Sequence, residues 1–148
     1  MANERDEPYG GFNFVVELGD GVNPGEPAAG FQEVSGLALA VDVIEYRNGN
    51  DLHVRKLPGL ARYENVVMRR GFTGSTRLYE WIDSVRSGLS SPSRTVRITL
   101  LDEASVPVTR WTLQRAWPIR YVGPAMKADA NEVAIEELVL THERLEMD

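Results

Sequence analysis

The side chains able to do chemistry are few and scattered. The chain holds two histidines, His53 in a polar stretch and His142 near the C-terminus, and no cysteine. Neither histidine has a second histidine three or four residues away, so a metal centre would need distant carboxylates. The missing cysteines remove thiol nucleophiles, thiolate zinc sites, iron–sulfur clusters and disulfides. No Gly-x-Ser-x-Gly elbow supports a serine nucleophile. Gly71-Phe-Thr-Gly-Ser-Thr-Arg77 resembles a phosphate loop but lacks its lysine and spacing, and reads better as a helix N-terminus. Asp102-Glu103 could act as an acid–base pair, yet adjacent carboxylates between two strands fit a turn. Trp81, Trp111 and Trp117 could stack a ligand, although aromatics at strand and helix spacing more often fill a core. No enzyme signature survives, and no cofactor is implied.

The elements that would position these residues are mostly strands. Phe12, Phe14, Val16 and Leu18 alternate with polar or smaller residues, as in a strand with one face on a core. Val96, Ile98 and Leu100 repeat the pattern, and the run from Val108 to Trp117 places Trp111, Leu113 and Trp117 on one face. The residues from Asp102 to Ser105 join those two runs as a hairpin turn. Val41 to Arg47 and Glu64 to Arg70 carry apolar residues on both faces, so each needs cover from its own core and from something else. One helix is expected from about Ser75 to Ser87, with Leu78, Ile82 and Val85 on a stripe and Gly88 as its stop. Asn131 to Leu145 fits a helix by propensity and a strand by parity equally well. Loops fall from Gly19 to Gly30, from Asn48 to His53, and from Ser90 to Ser93. This gives one helix among seven or eight strands, and a mainly β fold.

At 148 residues the chain suits a single domain, 1–148, with a polar N-terminal extension over 1–8. A formal charge of −6 and a pI near 5.0 argue against a dedicated nucleic-acid binder. The acidic N-terminus does not read as a signal peptide, and no apolar run reaches the ~18 residues of a membrane span. A cytosol-made, soluble protein is expected. Charge is segregated along the chain. Arg55 to Arg77 sums to +5 and Asp129 to Asp148 to −6. Two solvated faces would explain this, as would a basic surface on one copy that meets an acidic surface on the next.

Four ordered segments carry a more specific signal. They are Phe31-Gln-Glu-Val-Ser-Gly-Leu37, the run from Glu45-Tyr-Arg47 through Arg55-Lys-Leu-Pro-Gly59 to Arg69-Arg-Gly71, Trp117-Pro118, and Asn131 to Leu145. Together, from about Tyr9 to Leu145, the chain resembles the tail tube protein of contractile phage tails and of extracellular contractile injection systems. It departs from that pattern in a longer loop over Asp20 to Ala29, and in Arg62 and Arg69 where lysine is frequent.

The resemblance implies a tail-tube-type β-barrel or sandwich with one flanking helix and an extended hairpin, related to the type VI secretion tube. It implies a strand over Asn131 to Leu145. It also implies hexameric rings, stacked head to tail into a hollow tube inside a contractile sheath. The expected partners are further copies of the chain, the sheath protein, baseplate and tube-terminating proteins, and a lumen cargo of protein effector or DNA. Assembly is expected in the producing bacterium's cytoplasm, without a membrane anchor. By the same analogy, Asn48 to Val54 belongs to a hairpin reaching a neighbouring ring. The candidate contact residues are Arg47, Asn48, Asn50, Asp51, His53, Arg55, Lys56 and Arg62, with Glu132 and Glu136; the charge sums, not the resemblance, suggest that Arg55, Lys56 and Arg62 meet Glu132 or Glu136 of the adjacent ring. Other readings are a baseplate-proximal initiator of the same fold, a free soluble ring, or a ligand-binding β-barrel.

Overall fold

The computed structural model describes residues 4–19, 30–88, 92–129 and 131–148. Among them, nine strands and one helix follow in order: β1 (Phe14–Glu17), β2 (Glu33–Ser35), β3 (Leu39–Tyr46), β4 (Arg55–Tyr63), β5 (Val66–Gly71), α1 (Arg77–Arg86), β6 (Arg94–Leu101), β7 (Pro107–Val122), β8 (Ile135–Thr141) and β9 (Arg144–Met147). The expected loop over Asp20 to Ala29, and Ser90 and Ser91 of the later loop, lie outside the described residues. The antiparallel sheet runs β1–β6–β7–β8–β5–β2, with β9 also paired to β7, while β3 and β4 form a two-stranded sheet of their own.

β7 joins the two halves of the large sheet. Its first part pairs with β6 and β9 and its second part with β8. Between them Arg115 adopts a positive φ of 51°, and the register with β6 gains one residue on β7 from Leu113 to Ala116. Such a bulge bends the strand and reverses which face later residues occupy. Leu113, Ala116 and Pro118 are therefore buried, while Trp117 is turned out and 37% exposed. This corrects the expectation that Trp117 shares the core face of Trp111 and Leu113.

The core lies between the two halves. Val16, Val96, Ile98 and Leu113 meet Val66, Met68, Leu138 and Leu140, and α1 adds Leu78 and Trp81. The Trp81 indole N–H donates to the Pro92 carbonyl at 2.7 Å, which satisfies the one polar atom it buries. Helix α1 is shorter than its predicted span. Thr76 precedes it and donates its hydroxyl to the Glu80 carboxylate at 2.9 Å, and Gly88 ends it at a φ of 72°. β1 also starts late, because Phe12 lies in the preceding turn and is 77% exposed. The predicted hairpin turn is present. The Asp102 carboxylate accepts from the amides of Ala104 and Val106, both at 2.9 Å, and Ser105 takes the left-handed conformation.

The ambiguous C-terminal stretch is extended, as the resemblance implies, but it breaks at His142-Glu143 into β8 and β9. Glu136, Leu138 and Leu140 point inward. The N-terminal segment is tied down by Arg5, which pairs with Glu103 at 2.9 Å and stacks over Tyr9. That guanidinium holds the Glu103 carboxyl down to about 2. A depressed acid favours the tied state above the ordinary carboxylate range and loses it as pH falls through the folded value. An NMR titration should therefore find Glu103 with a midpoint of about 2 in the parent protein. In Arg5→Ala the midpoint should rise towards the ordinary carboxylate range, because the largest cause of the lowering is removed.

Candidate assembly surfaces

The β3–β4 hairpin gathers most of the candidate contact residues. Its turn is closed by the Asp51 amide donating to the Asn48 carbonyl at 2.9 Å and by Arg47 Nε donating to the Asp51 carbonyl at 2.8 Å. Arg55 Nε reaches the Asp51 carboxylate at 3.3 Å, and Lys56 faces Glu45 across the strands. Asn48, Asn50 and His53 stand exposed at the tip. Arg62 sits nearer the base and holds Asp42 at 2.7 Å.

What the charged tip does not reveal is how apolar the rest of this ribbon is. The cross-strand register sorts its side chains into two faces. One carries Leu39, Val41, Val43, Tyr63, Ala61 and Pro58 towards the base and the charged pair Glu45–Lys56 towards the tip. The other carries the Arg62–Asp42 ion pair towards the base and Ile44 with Leu57 towards the tip. An extra residue on β4, at Gly59-Leu60, keeps both faces in register, and a side chain at Gly59 would press on Ile44. Leu39, Val41, Val43, Ile44 and Leu60 are all more than half exposed. The two-faced strand at Val41 to Arg47 thus has cover on neither side from its own core. The sequence signal for this exposure is that apolar run.

A second apolar surface lies across the molecule's body. Ile82 and Val85 of α1 are only half buried, and with Tyr79 they face Trp117, Ile119 and Tyr121 of β7 across a groove of about 610 Å³. The outward turn of β7 at the Arg115 bulge is what brings Trp117 and Ile119 to it.

The acidic candidates separate. Glu132 is exposed in the loop between β7 and β8. Glu136 is 1% exposed and bonded within the chain, to Arg70 Nε at 2.6 Å and to the Tyr121 hydroxyl, which donates at 2.7 Å. It therefore cannot meet Arg55, Lys56 or Arg62 of another copy, and that expectation is corrected. The cause is strand register. Arg69-Arg70 on β5 lies opposite Glu136-Glu137 on β8. The inward pair is Arg70–Glu136. The outward pair is Arg69–Glu137 at 2.8 Å, which Arg69 extends to Glu33 at 3.1 Å. Part of the basic and acidic segregation read along the chain is thus neutralised within one molecule. Burial, then the bond to Glu136, pushes the Tyr121 hydroxyl up to about 12.

Among the described residues, no group of three or more His, Asp and Glu side chains could hold a metal, and no helix is long and apolar enough to cross a membrane. The sheet fold with one flanking helix thus carries a separate hairpin whose apolar side chains are exposed. Comparison with known families identifies the fold. The model of the T4-like virus tail tube protein gp19 matches residues 10–146. The chain belongs to this tail tube family. Solved structures extend the likeness to contractile injection systems. A chain of the PVC sheath–tube complex in its extended state superposes with a TM-score of 0.82 at 30% identity, covering 97% of this chain and 93% of that one. A chain of the anti-feeding prophage tube-terminating cap gives 0.84 at 27% identity, covering 100% and 95%. Hcp1 from Flavobacterium johnsoniae shares the fold, with a TM-score of 0.56 at 12% identity, covering 92% and 94%. No curated protein matches the chain by sequence. The chain is a tail tube protein of the contractile injection system type, a family of structural proteins.

Proposed function

We propose that this chain is the repeating subunit of an inner tube, a single tail tube domain that forms hexameric rings stacked head to tail within a contractile sheath. The observation that carries this reading is the hairpin of β3 and β4, which bares apolar side chains on both faces. Two strands without further cover are marginal in water, and exposed apolar area of this kind marks an interaction site. A convex apolar ribbon and a concave apolar groove on one chain favour head-to-tail contacts, which close into rings or continue as filaments. Sheath, baseplate and terminating proteins are the other partners, and a protein effector or DNA is the cargo of the lumen. The tube acts mechanically, as a rigid conduit driven forward when the sheath shortens.

Negative-stain microscopy of the purified protein across a concentration series, at low and moderate salt, tests this. Stacked hollow rings are expected. A persistent monomer at every concentration and salt would count against self-assembly. The similarity to the anti-feeding prophage cap supports a second reading, in which the chain terminates a tube instead of building it. Single rings that never stack would select that reading.

A further inference from the structure

We infer that His142 is a positioning residue, which fixes the direction in which the β3–β4 hairpin leaves the body of the molecule. The hairpin is a sheet of its own and shares no ladder with the rest. Its orientation is therefore set where the chain enters it, at Gly36 to Ala38, and where it leaves, at Tyr63 to Asn65. The entering strand turns sharply, with the Ala38 amide donating to the Gly36 carbonyl at 2.8 Å. Gly36 holds a φ of 90°, and a Cβ there would come within 2.1 Å of the Asn65 carbonyl oxygen, so the two connections pass with no room for a side chain. The Glu64 amide donates to the Ala38 carbonyl at 3.2 Å, which ties the connections to each other.

His142 ties them to the body. It stands at the break between β8 and β9, where Glu143 still bonds to β7 through its amide and the Gln114 carbonyl at 3.0 Å. Its Nε2 lies 3.0 Å from the Glu64 carbonyl oxygen. The carbonyl can only accept, so Nε2 carries the proton and donates. The imidazole also meets the Tyr63 ring, with centroids 5.6 Å apart and planes tilted by 54°. Tyr63 in turn packs against the core. The remaining nitrogen, Nδ1, is buried with no hydrogen-bond partner among the described residues. A buried acceptor without a partner has a cost that an apolar side chain would avoid. The imidazole is therefore there for the bond it makes at Nε2, to Glu64, the first residue of the chain beyond β4.

The consequence for assembly rests on the tube reading, whereas the hinge itself does not. A hairpin held in one direction loses less freedom on docking than one that swings, and such preorganisation strengthens binding without adding a contact. Because the chain has no cysteine, Asn50→Cys at the hairpin tip and Arg97→Cys on β6 would carry the only two spin labels. Inter-label distances are measured below the concentration at which the protein assembles. A narrow distribution is expected in the otherwise unchanged chain and a broad one when His142→Ala is added. His142→Gln, which keeps an N–H donor, should recover much of the narrowness. His142→Phe, which keeps a ring against Tyr63 but has no donor, should not. These last two variants decide the question even if His142→Ala fails to fold.

Without the labels, His142→Ala should raise the critical concentration for assembly about tenfold, the scale of one lost hydrogen bond. Unchanged distances in the variants that lose the donor would overturn the hinge. Broadened distances with unaltered assembly would overturn its link to the tube. Failure of the parent protein to assemble would overturn the tube reading, while the label distances still decide the hinge.

Discussion

Replacing Ile44 with glutamate should leave the chain folded and abolish assembly. Ile44 is half exposed and lies on the hairpin face it shares with Leu57, away from the core of the body. A surface substitution of this kind shifts stability by no more than about 0.5 kcal/mol, so circular dichroism and the melting temperature should stay close to those of the parent. If the hairpin face is buried between copies, the same change forfeits roughly 1.5–3 kcal/mol of apolar burial in every subunit. It also puts a carboxylate into the buried contact, which adds a desolvation cost. Each 1.4 kcal/mol is about a factor of ten in affinity, and the critical concentration should rise more than about a hundredfold. Sedimentation velocity and negative stain read this directly. Val43→Glu makes the same change on the opposite face. A hairpin clasped between two neighbouring copies should lose assembly in both variants, whereas one docked by a single face should tolerate one of them. Normal tubes from both would remove the hairpin from the interface altogether.

The part of this surface that was legible in the sequence was its anomaly. A strand apolar on both faces announces missing cover, and Val41 to Arg47 did so. The strands whose alternation is strict, β1 and β6, were placed within a few residues, as were the two-faced β5 and α1. The family could be read from motifs spread over the chain. What the sequence did not disclose depends on contacts between distant residues. Trp117 could be assigned to the core only while β7 was counted as regular, and the bulge at Arg115 that turns it out is a property of pairing with β6. The split of the last strand at His142-Glu143 depends on its fit to both parts of β7. The charges misled for a related reason. Arg69-Arg70 and Glu136-Glu137 sit more than sixty residues apart, and only antiparallel register reveals them as two facing pairs, one outside and one in the core.

Removing one member of the inward pair should strongly destabilise the chain. Arg70 and Glu136 are 2% and 1% exposed, and the Tyr121 hydroxyl completes the carboxylate's second oxygen while its ring meets Tyr79 of α1 edge-on at 6.2 Å. Glu136→Ala therefore takes from a buried guanidinium the carboxylate it holds at 2.6 Å, and from the Tyr121 phenol its acceptor. Breaking a buried ion pair in this way costs about 3–5 kcal/mol. In a chain of this size each kcal/mol lowers the melting temperature by about 2–4 °C, so a fall of roughly 6–20 °C is expected. Tyr121→Phe removes only the second bond and should cost about 1 kcal/mol. The double change Arg70→Met with Glu136→Leu replaces both charges by apolar groups of similar bulk, and should recover most of the loss, because the desolvation of both ions disappears with them. A double variant as unstable as Glu136→Ala would show that the pair specifies how β5 and β8 register, not merely that its members must not be parted. Assembly separates the two effects. The double variant should still form tubes if the pair serves only the interior, since neither residue reaches the surface that meets another copy.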